Sequence, residues 1–223
     1  GSRVRMRQDE GSFPRWDGRL TLHVMSDHPS KVSVPVIKRN EQAVTIYLAG
    51  DSTVTDQKSE PWASWGLMLP AFFRKGYAVA NHAESGLSLA SFKGDKRQQK
   101  VLESLKPGDF ILIQFGHNDQ KEKGDGVGPF TTYKQRLMSF VDEIRIRKGN
   151  PVIIAPMERR RFDSSNKPFR TLLDFRDAAK QAADEKNVPF INLADMSFSM
   201  YRVFGKNDST KLFVYYGSTK DDT

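Results

Sequence analysis

The sequence predicts an α/β fold in which a parallel sheet lies between layers of helices. Two observations carry this prediction: short apolar segments alternate with longer segments of helical periodicity, and turn residues separate them. The five predicted strands are Val44–Ala49, Tyr77–Ala80, Phe110–Phe115, Val152–Ala155 and Phe190–Leu193. Almost continuously apolar strands are typical of parallel sheets, because helices cover both faces of such sheets. We expect a three-layer αβα domain with right-handed crossovers.

The predicted helices lie between these strands and end where helix-terminating residues follow. They lie near Trp62–Arg74, Arg97–Leu105, Thr131–Arg147 and Leu172–Lys186. Gly76 follows the first helix, Lys106-Pro-Gly108 the second and Gly149-Asn-Pro151 the third. Glycine and proline commonly follow a helix C-terminus, so these residues support the predicted ends.

Residues 1–43 follow a different pattern from the rest of the chain. Apolar and polar residues alternate over 20–24 and again over 32–36, and Asp27-His-Pro-Ser30 between them indicates a turn. We predict a β-hairpin here, which is too small to be stable alone. It belongs either to a larger β-module or to an extra layer on the main domain, which we assign to residues 44–223.

Composition restricts the possible functions. A chain of 223 residues can bury one large core but not two full domains. No apolar run approaches the roughly 18 residues that suggest a membrane span. Because the sequence contains no cysteine, disulfides, thiolate nucleophiles and cysteine-based zinc sites are excluded. The four histidines show no metal-ligand spacing, and we predict neither a metal nor a cofactor.

The net charge of +8 either keeps the protein soluble or attracts it to a polyanion. A nucleic acid and an acidic polysaccharide are both polyanions, and charge alone does not distinguish them. The sequence contains no helix-turn-helix, zinc-finger or RNP pattern, so we predict no nucleic-acid partner.

Three segments rich in small and polar residues follow the first three predicted strands: Gly50–Thr53, Asn81–Ser88 and Gly116–Asp119. In an open parallel sheet, functional groups gather outside the carboxyl ends of the strands, so we expect these segments to converge. Ser52 directly follows a strand, where a serine is either a nucleophile or a turn or N-cap residue. The Gly-x-Ser-x-Gly elbow, which marks the α/β-hydrolases, is absent.

Acyl transfer requires hydrogen-bond donors for the oxyanion that develops on the carbonyl oxygen. Gly86 offers a backbone N–H that no side chain shields, and Asn118 offers a side-chain N–H. Each residue alone is also a common turn residue. Their positions after successive strands make the combination informative.

Gly50-Asp-Ser52, Asn81 with Gly86, and Gly116-His-Asn-Asp119 resemble the first three blocks of the SGNH, or GDSL, hydrolase family in residues, spacing and place after strands. This resemblance implies a three-layer α/β fold with the block serine as nucleophile. It further implies an oxyanion hole formed by the backbone N–H groups of Ser52 and Gly86 and the side chain of Asn118.

Longer segments look most like the rhamnogalacturonan acetylesterase branch, which removes acetyl groups from pectin. They are Trp62-Ala-Ser-Trp-Gly66, Phe115-Gly-His-Asn-Asp-Gln120 and Pro156-Met-Glu-Arg-Arg160. The resemblance implies an acetylated acidic polysaccharide or oligosaccharide as substrate and a secreted or periplasmic location, although the sequence shows no signal peptide. Related acetylesterases often have arginine after the block II glycine, whereas this chain has Leu87.

The fourth block of the family is Asp-x-x-His, which supplies the acid and base of the triad. In this register Asp221 is the orienting acid, and the histidine would follow Thr223 directly. We therefore expect the sequence to be part of a longer polypeptide that carries the histidine.

None of the four histidines present is expected to replace that base. His23 and His28 lie in the predicted hairpin, His82 follows Asn81 and helps to hold that loop, and His117 is placed to contact substrate.

Arg159 and Arg160 follow the fourth strand, where they either meet a galacturonate carboxylate or form a solvated loop. Trp62 and Trp65 provide either a sugar-stacking face or core residues. Two other functions remain open: a lipase or thioesterase with the same fold, and a carbohydrate-binding protein without catalytic activity.

Overall fold

The computed structural model describes residues 4–7, 10, 31, 40–58 and 61–214. Five parallel strands form one sheet in the order β2-β1-β3-β4-β5. The strands are β1 (Val44–Gly50), β2 (Tyr77–Asn81), β3 (Phe110–Gln114), β4 (Asn150–Ile154) and β5 (Phe190–Ile191). The predicted α/β fold with a parallel sheet is confirmed. The predicted N-terminal hairpin and Asp221 lie outside the described residues.

Six α-helices connect and follow the strands in the described part of the chain. They are α1 (Trp65–Met68), α2 (Leu89–Gly94), α3 (Arg97–Ser104), α4 (Lys134–Ile146), α5 (Leu173–Lys186) and α6 (Leu193–Asp208). A 3₁₀ turn over Leu69–Phe72 extends α1, and a π turn over Pro129–Tyr133 precedes α4.

The sequence analysis was wrong about several element bounds. The first predicted helix is only one α turn followed by a 3₁₀ turn, because Pro70 lacks the N–H that would continue the α-helix. The strand β4 begins at Asn150, whose N–H donates to the carbonyl of Asp109 (2.8 Å), rather than after Pro151. The strand β5 ends at Ile191, because Asn192 caps α6 by accepting from a backbone N–H in its first turn.

The helices α2 and α6 were not predicted. Ser88 begins α2 with a reciprocal capping box, but the helix is only six residues long and its period is hard to recognise. The helix α6 buries Ala194, Ser197 and Tyr201, while several of its large apolar residues face solvent. Its hydrophobic pattern therefore does not mark its buried face.

The two faces of the sheet bury different sets of strand residues. Tyr47, Ile111 and Ile153 point to a large core shared with α2, α3, α4 and α5. Ile46 and Leu48 point to a smaller core on the α1 side. This alternation along the strands produces the three-layer arrangement and leaves the loops after β1, β2 and β3 together at the carboxyl edge.

Candidate functional site

The loop that follows β1 is fixed by a buried carboxylate. Asp51 Oδ1 accepts hydrogen bonds from the Thr53 N–H (3.0 Å) and hydroxyl (2.8 Å). The Asp51 carbonyl accepts from the N–H groups of Val54 and Thr55, each at 3.0 Å. This tight turn leaves Ser52 partly exposed at the end of the strand. Within the described ranges, no group forms a hydrogen bond with Ser52 Oγ.

The neighbouring strand and helix hold the same loop. Gln114, fully buried at the end of β3, donates from Nε2 to Thr53 Oγ1 and accepts from Trp65 Nε1 (2.8 Å). Gly66 allows α1 to approach, because a Cβ there would lie 2.0 Å from the Val54 carbonyl oxygen. The position of Ser52 thus depends on β3 and α1 as well as on β1.

Asn81, at the end of β2, connects the loops that follow β1 and β2. Its Nδ2 donates to the Val54 carbonyl (2.7 Å) and to Asp56 Oδ1 (2.8 Å). Its Oδ1 accepts from the Ala83 N–H (3.1 Å). All the hydrogen-bonding positions of this amide N–H₂ are therefore used within the protein.

A tight turn presents Gly86 at the same edge. The Leu87 N–H donates to the Glu84 carbonyl (3.3 Å), and Gly86 has φ +77°, a conformation that strongly favours glycine. Asn118 Nδ2 donates to the Leu87 carbonyl (3.0 Å), so the loops after β2 and β3 are joined beside Gly86. Because a primary amide has two N–H donors, Asn118 keeps one beyond this bond.

Asp119 forms a second connection between the loops after β2 and β3. It is buried, and its Oδ1 accepts from the Leu89 N–H (3.0 Å), while no described group bonds to its Oδ2. Burial raises the pKa of Asp119 to about 7; the Leu89 hydrogen bond opposes the shift, and the charges of Glu122 and Asp51 add to it. The carboxyl group is thus poised to titrate near neutral pH.

The residues proposed for substrate contact have different surroundings. His117 is buried, and its Nε2 lies 2.7 Å from the Met157 carbonyl. Arg159 Nη2 donates to the His117 carbonyl (3.3 Å) and lies within electrostatic range of Asp51. Arg160 instead binds the end of α6, donating from Nε to Ser209 Oγ (2.9 Å). The interactions of Arg159 therefore lie near the loop of Ser52, whereas the hydrogen bond of Arg160 lies at the end of α6.

His82 packs beside Tyr47, a residue of the large core. Its ring lies 5.8 Å from that of Tyr47, and burial, together with Arg97 and Lys100, lowers its pKa to about 4. Neither His82 nor His117 forms a hydrogen bond with Ser52 in the described structure. His23 and His28 are outside the described residues.

A cavity of 520 Å³ opens beside Ser52. Polar groups of Ser52, Thr53 and Gln57 line one part of it. The remaining wall is largely apolar and includes Trp62, Trp65, Met68, Met157, Leu193 and Phe213. Trp65 also belongs to the smaller core, so it serves both the packing and the cavity wall.

Residues 48–212 match the GDSL-like lipase/acylhydrolase family. The chain belongs to this family. Rhamnogalacturonan acetylesterase RhgT of Bacillus subtilis is 39% identical over 79% of this chain and 76% of RhgT. The probable rhamnogalacturonan acetylesterase YesY of the same species is 36% identical over 77% of this chain and 78% of YesY.

The fold comparison agrees with this membership. The crystal structure of YxiM from Bacillus subtilis superposes with a TM-score of 0.70 at 25% identity, over 77% of this chain. The match covers 49% of the YxiM chain, so this chain spans about half of YxiM.

The structure brings three of the predicted site residues of this GDSL-family chain to one edge: Ser52, Gly86 and Asn118. The sequence analysis missed Gln114 and Asp119 as supports of the site. The available signals were a polar residue, Gln114, at the end of an apolar strand, and the acid Asp119 that ends the Gly116-His-Asn-Asp119 motif.

Two classes of feature are absent from the parts of the chain that the structure describes. There is no group of three or more His, Asp or Glu side chains arranged to hold a metal ion. In the same residues, every helix is too short or too polar to cross a bilayer.

Proposed function

We propose that this GDSL-family chain is a carbohydrate acetylesterase that forms an acyl-Ser52 intermediate. The observation that carries the proposal is the convergence of Ser52, Gly86 and Asn118 at one sheet edge, with hydrogen bonds that join their three loops. The relatives RhgT and YesY, which are named as rhamnogalacturonan acetylesterases, support an acetyl ester on this polymer as the substrate.

In the proposed reaction, Ser52 Oγ attacks the acetyl carbonyl and its proton passes to a general base. The oxyanion accepts hydrogen bonds from the N–H groups of Ser52 and Gly86 and from the second N–H of Asn118. The sugar hydroxyl leaves with the proton, and water then hydrolyses the acetyl-serine. Asp221 is proposed to orient the base. His82 packs beside the Tyr47 ring and the Nε2 of His117 lies 2.7 Å from the Met157 carbonyl, so neither is placed to be that base.

The proposed substrate is an acetylated acidic polysaccharide, such as pectin. The net charge of +8 favours an anionic polymer, and Arg159 beside the Ser52 loop favours a carboxylate-bearing sugar. A polymer of this kind is degraded outside the cytoplasm, so we propose a secreted or periplasmic location.

Replacement of the nucleophile tests the proposal. The natural polypeptide containing this sequence is assayed for acetate release from acetylated pectin, acetylated xylan and a short aryl acetate. We expect Ser52→Ala to lower kcat by at least about a thousandfold, because triad serines contribute effects of this size. Ser165→Ala, which removes an exposed hydroxyl that does not line the cavity, is the control and should match the wild type.

An unchanged rate in Ser52→Ala would show that another group is the nucleophile. Pectin binding without acetate release by the wild type would support a carbohydrate-binding protein instead.

The apolar cavity beside Ser52 favours a second candidate, an esterase for longer acyl groups. Aryl acetate and aryl octanoate distinguish the two functions, since both release the same aryl leaving group and differ only in the acyl group that is transferred to Ser52. A carbohydrate acetylesterase should prefer acetate, whereas a lipase or thioesterase should have the higher kcat/KM on octanoate.

A further inference from the structure

The N-terminal residues 4–7 and 10 lie against the GDSL domain. The Arg5 N–H donates to the Asp95 carbonyl (2.9 Å), and Arg7 Nε donates to Asp95 Oδ2 (3.0 Å). Glu10 forms a fully buried ion pair with Arg97, and it also accepts from the Arg7 N–H (2.9 Å). Breaking a buried pair of this kind is strongly unfavourable, so the pair holds Glu10 against the domain.

The guanidinium of Arg7 lies beside the turn of Gly86. A Cβ at Gly86 would lie 3.8 Å from Arg7 Nη1. The side chain of Arg7 keeps 37% of its exposure, and Asp95 engages its Nε. A partly exposed cation therefore stands next to the loop that we assign to the oxyanion hole.

We propose that Arg7 binds a carboxylate of the acidic polysaccharide next to the acetylated sugar, so that the N-terminal segment forms part of the substrate site. A guanidinium has five N–H donors, and the bond from Nε to Asp95 leaves the four Nη donors for a bidentate contact. Asp95 orients the side chain, while Glu10 and Arg97 anchor the backbone. The inference rests on the proposed function, because it assumes that the ester lies at Gly86.

The test compares charged and neutral substrates of one backbone. Acetylated oligogalacturonate carries free carboxylates, and its methyl-esterified form does not. We expect Arg7→Gln to lower kcat/KM on the acidic form about tenfold, mainly through KM, which is the size expected for losing a hydrogen bond between charged groups. The methyl-esterified form and an aryl acetate should react at the wild-type rate, and Arg7→Lys should restore part of the loss.

Arg5→Ala is the matched control, because Arg5 is exposed, carries the same charge and is held through its backbone N–H. It should behave as the wild type on all three substrates. Equal losses on charged and neutral substrates in Arg7→Gln would show that Arg7 supports the turn or the oxyanion, and no loss would show a purely structural ion pair; either result overturns the proposal.

Binding separates this inference from the proposed function. Calorimetry with unacetylated oligogalacturonate measures the Arg7 contact without turnover, in the Ser52→Ala background. If Arg7→Gln weakens this binding about tenfold, the contact stands even when no acetyl ester is hydrolysed. If acetate release depends on Ser52 while binding is unaffected by Arg7→Gln, the proposed function stands and the Arg7 contact is wrong.

Discussion

Replacing Asp119 with asparagine should remove a pH dependence from the free energy of unfolding. The substitution keeps the shape of the side chain and the oxygen that accepts from the Leu89 N–H. It places an uncharged group at Oδ2, which no described group contacts through a hydrogen bond. The variant therefore removes the ionisation of a buried carboxyl with little change in packing.

The size of this pH-dependent contribution to the free energy of unfolding follows from the pKa of Asp119 in the folded state. Burial raises the pKa of Asp119 from 3.8 to about 7, so the folded protein holds a proton that the unfolded chain releases. Because the folded pKa is the higher one, this stabilisation is complete below about pH 4 and is lost as the pH rises through about 7. A shift of about three units corresponds to about 4 kcal/mol, or about 1.4 kcal/mol for each pH unit.

Urea unfolding at several pH values measures this contribution. Between about pH 5 and about pH 8, the stability of the wild type relative to Asp119→Asn should fall by roughly 3 kcal/mol. Asp125→Asn, which removes an exposed carboxylate from the following loop, is the control and should keep the wild-type slope. A stability difference between wild type and Asp119→Asn that is the same at every pH would refute the reasoning.

Three further predictions concern the supports of the site. Gly66→Ala should lower the free energy of unfolding by roughly 2 kcal/mol or more, because the new Cβ would lie 2.0 Å from a backbone carbonyl oxygen. Gly94→Ala is the control, since a Cβ there meets open space and should leave the free energy of unfolding unchanged. Urea unfolding of the two variants tests this difference. Asn118→Ala should lower kcat on an aryl acetate about a hundredfold through loss of an oxyanion donor, and an unchanged kcat would exclude that role. Glu10→Gln should lower the free energy of unfolding by about 3 kcal/mol, because it removes the buried carboxylate charge that pairs with Arg97; a change below about 1 kcal/mol would contradict this.

The sequence predicted the sheet well because parallel strands covered on both faces consist of apolar runs. It could not predict α6. The exposed apolar residues Met196 and Val203 obscure the helical pattern of hydrophobicity that would have identified the buried face, which is formed by Ala194, Ser197 and Tyr201. The length of a helix matters as well, since the six residues of α2 are too few to establish a period.

In the site, too, residues in local sequence motifs could be predicted, whereas contacts between distant residues could not. Ser52 and Gly86 lie in short polar segments after predicted strands, so the local sequence was enough to select them as candidates. The hydrogen bond from Leu89 to Asp119 joins residues 30 positions apart, and the residues Arg7 and Gly86, which lie side by side, are even more distant in the sequence. Such pairs depend on strand order and on how residues 4–7 lie against the domain, which no local pattern encodes.

Two asparagines illustrate why residue type alone does not define a role at this edge. Asn81 uses both amide N–H groups within the protein, on the Val54 carbonyl and on Asp56. Asn118 spends one N–H on the Leu87 carbonyl, and its amide has a second donor. Only an amide with a donor to spare can bind a developing oxyanion without breaking a bond that holds the loops together. The different saturation of the two amides thus favours Asn118 as the proposed oxyanion donor and Asn81 as the group that keeps the loops in place.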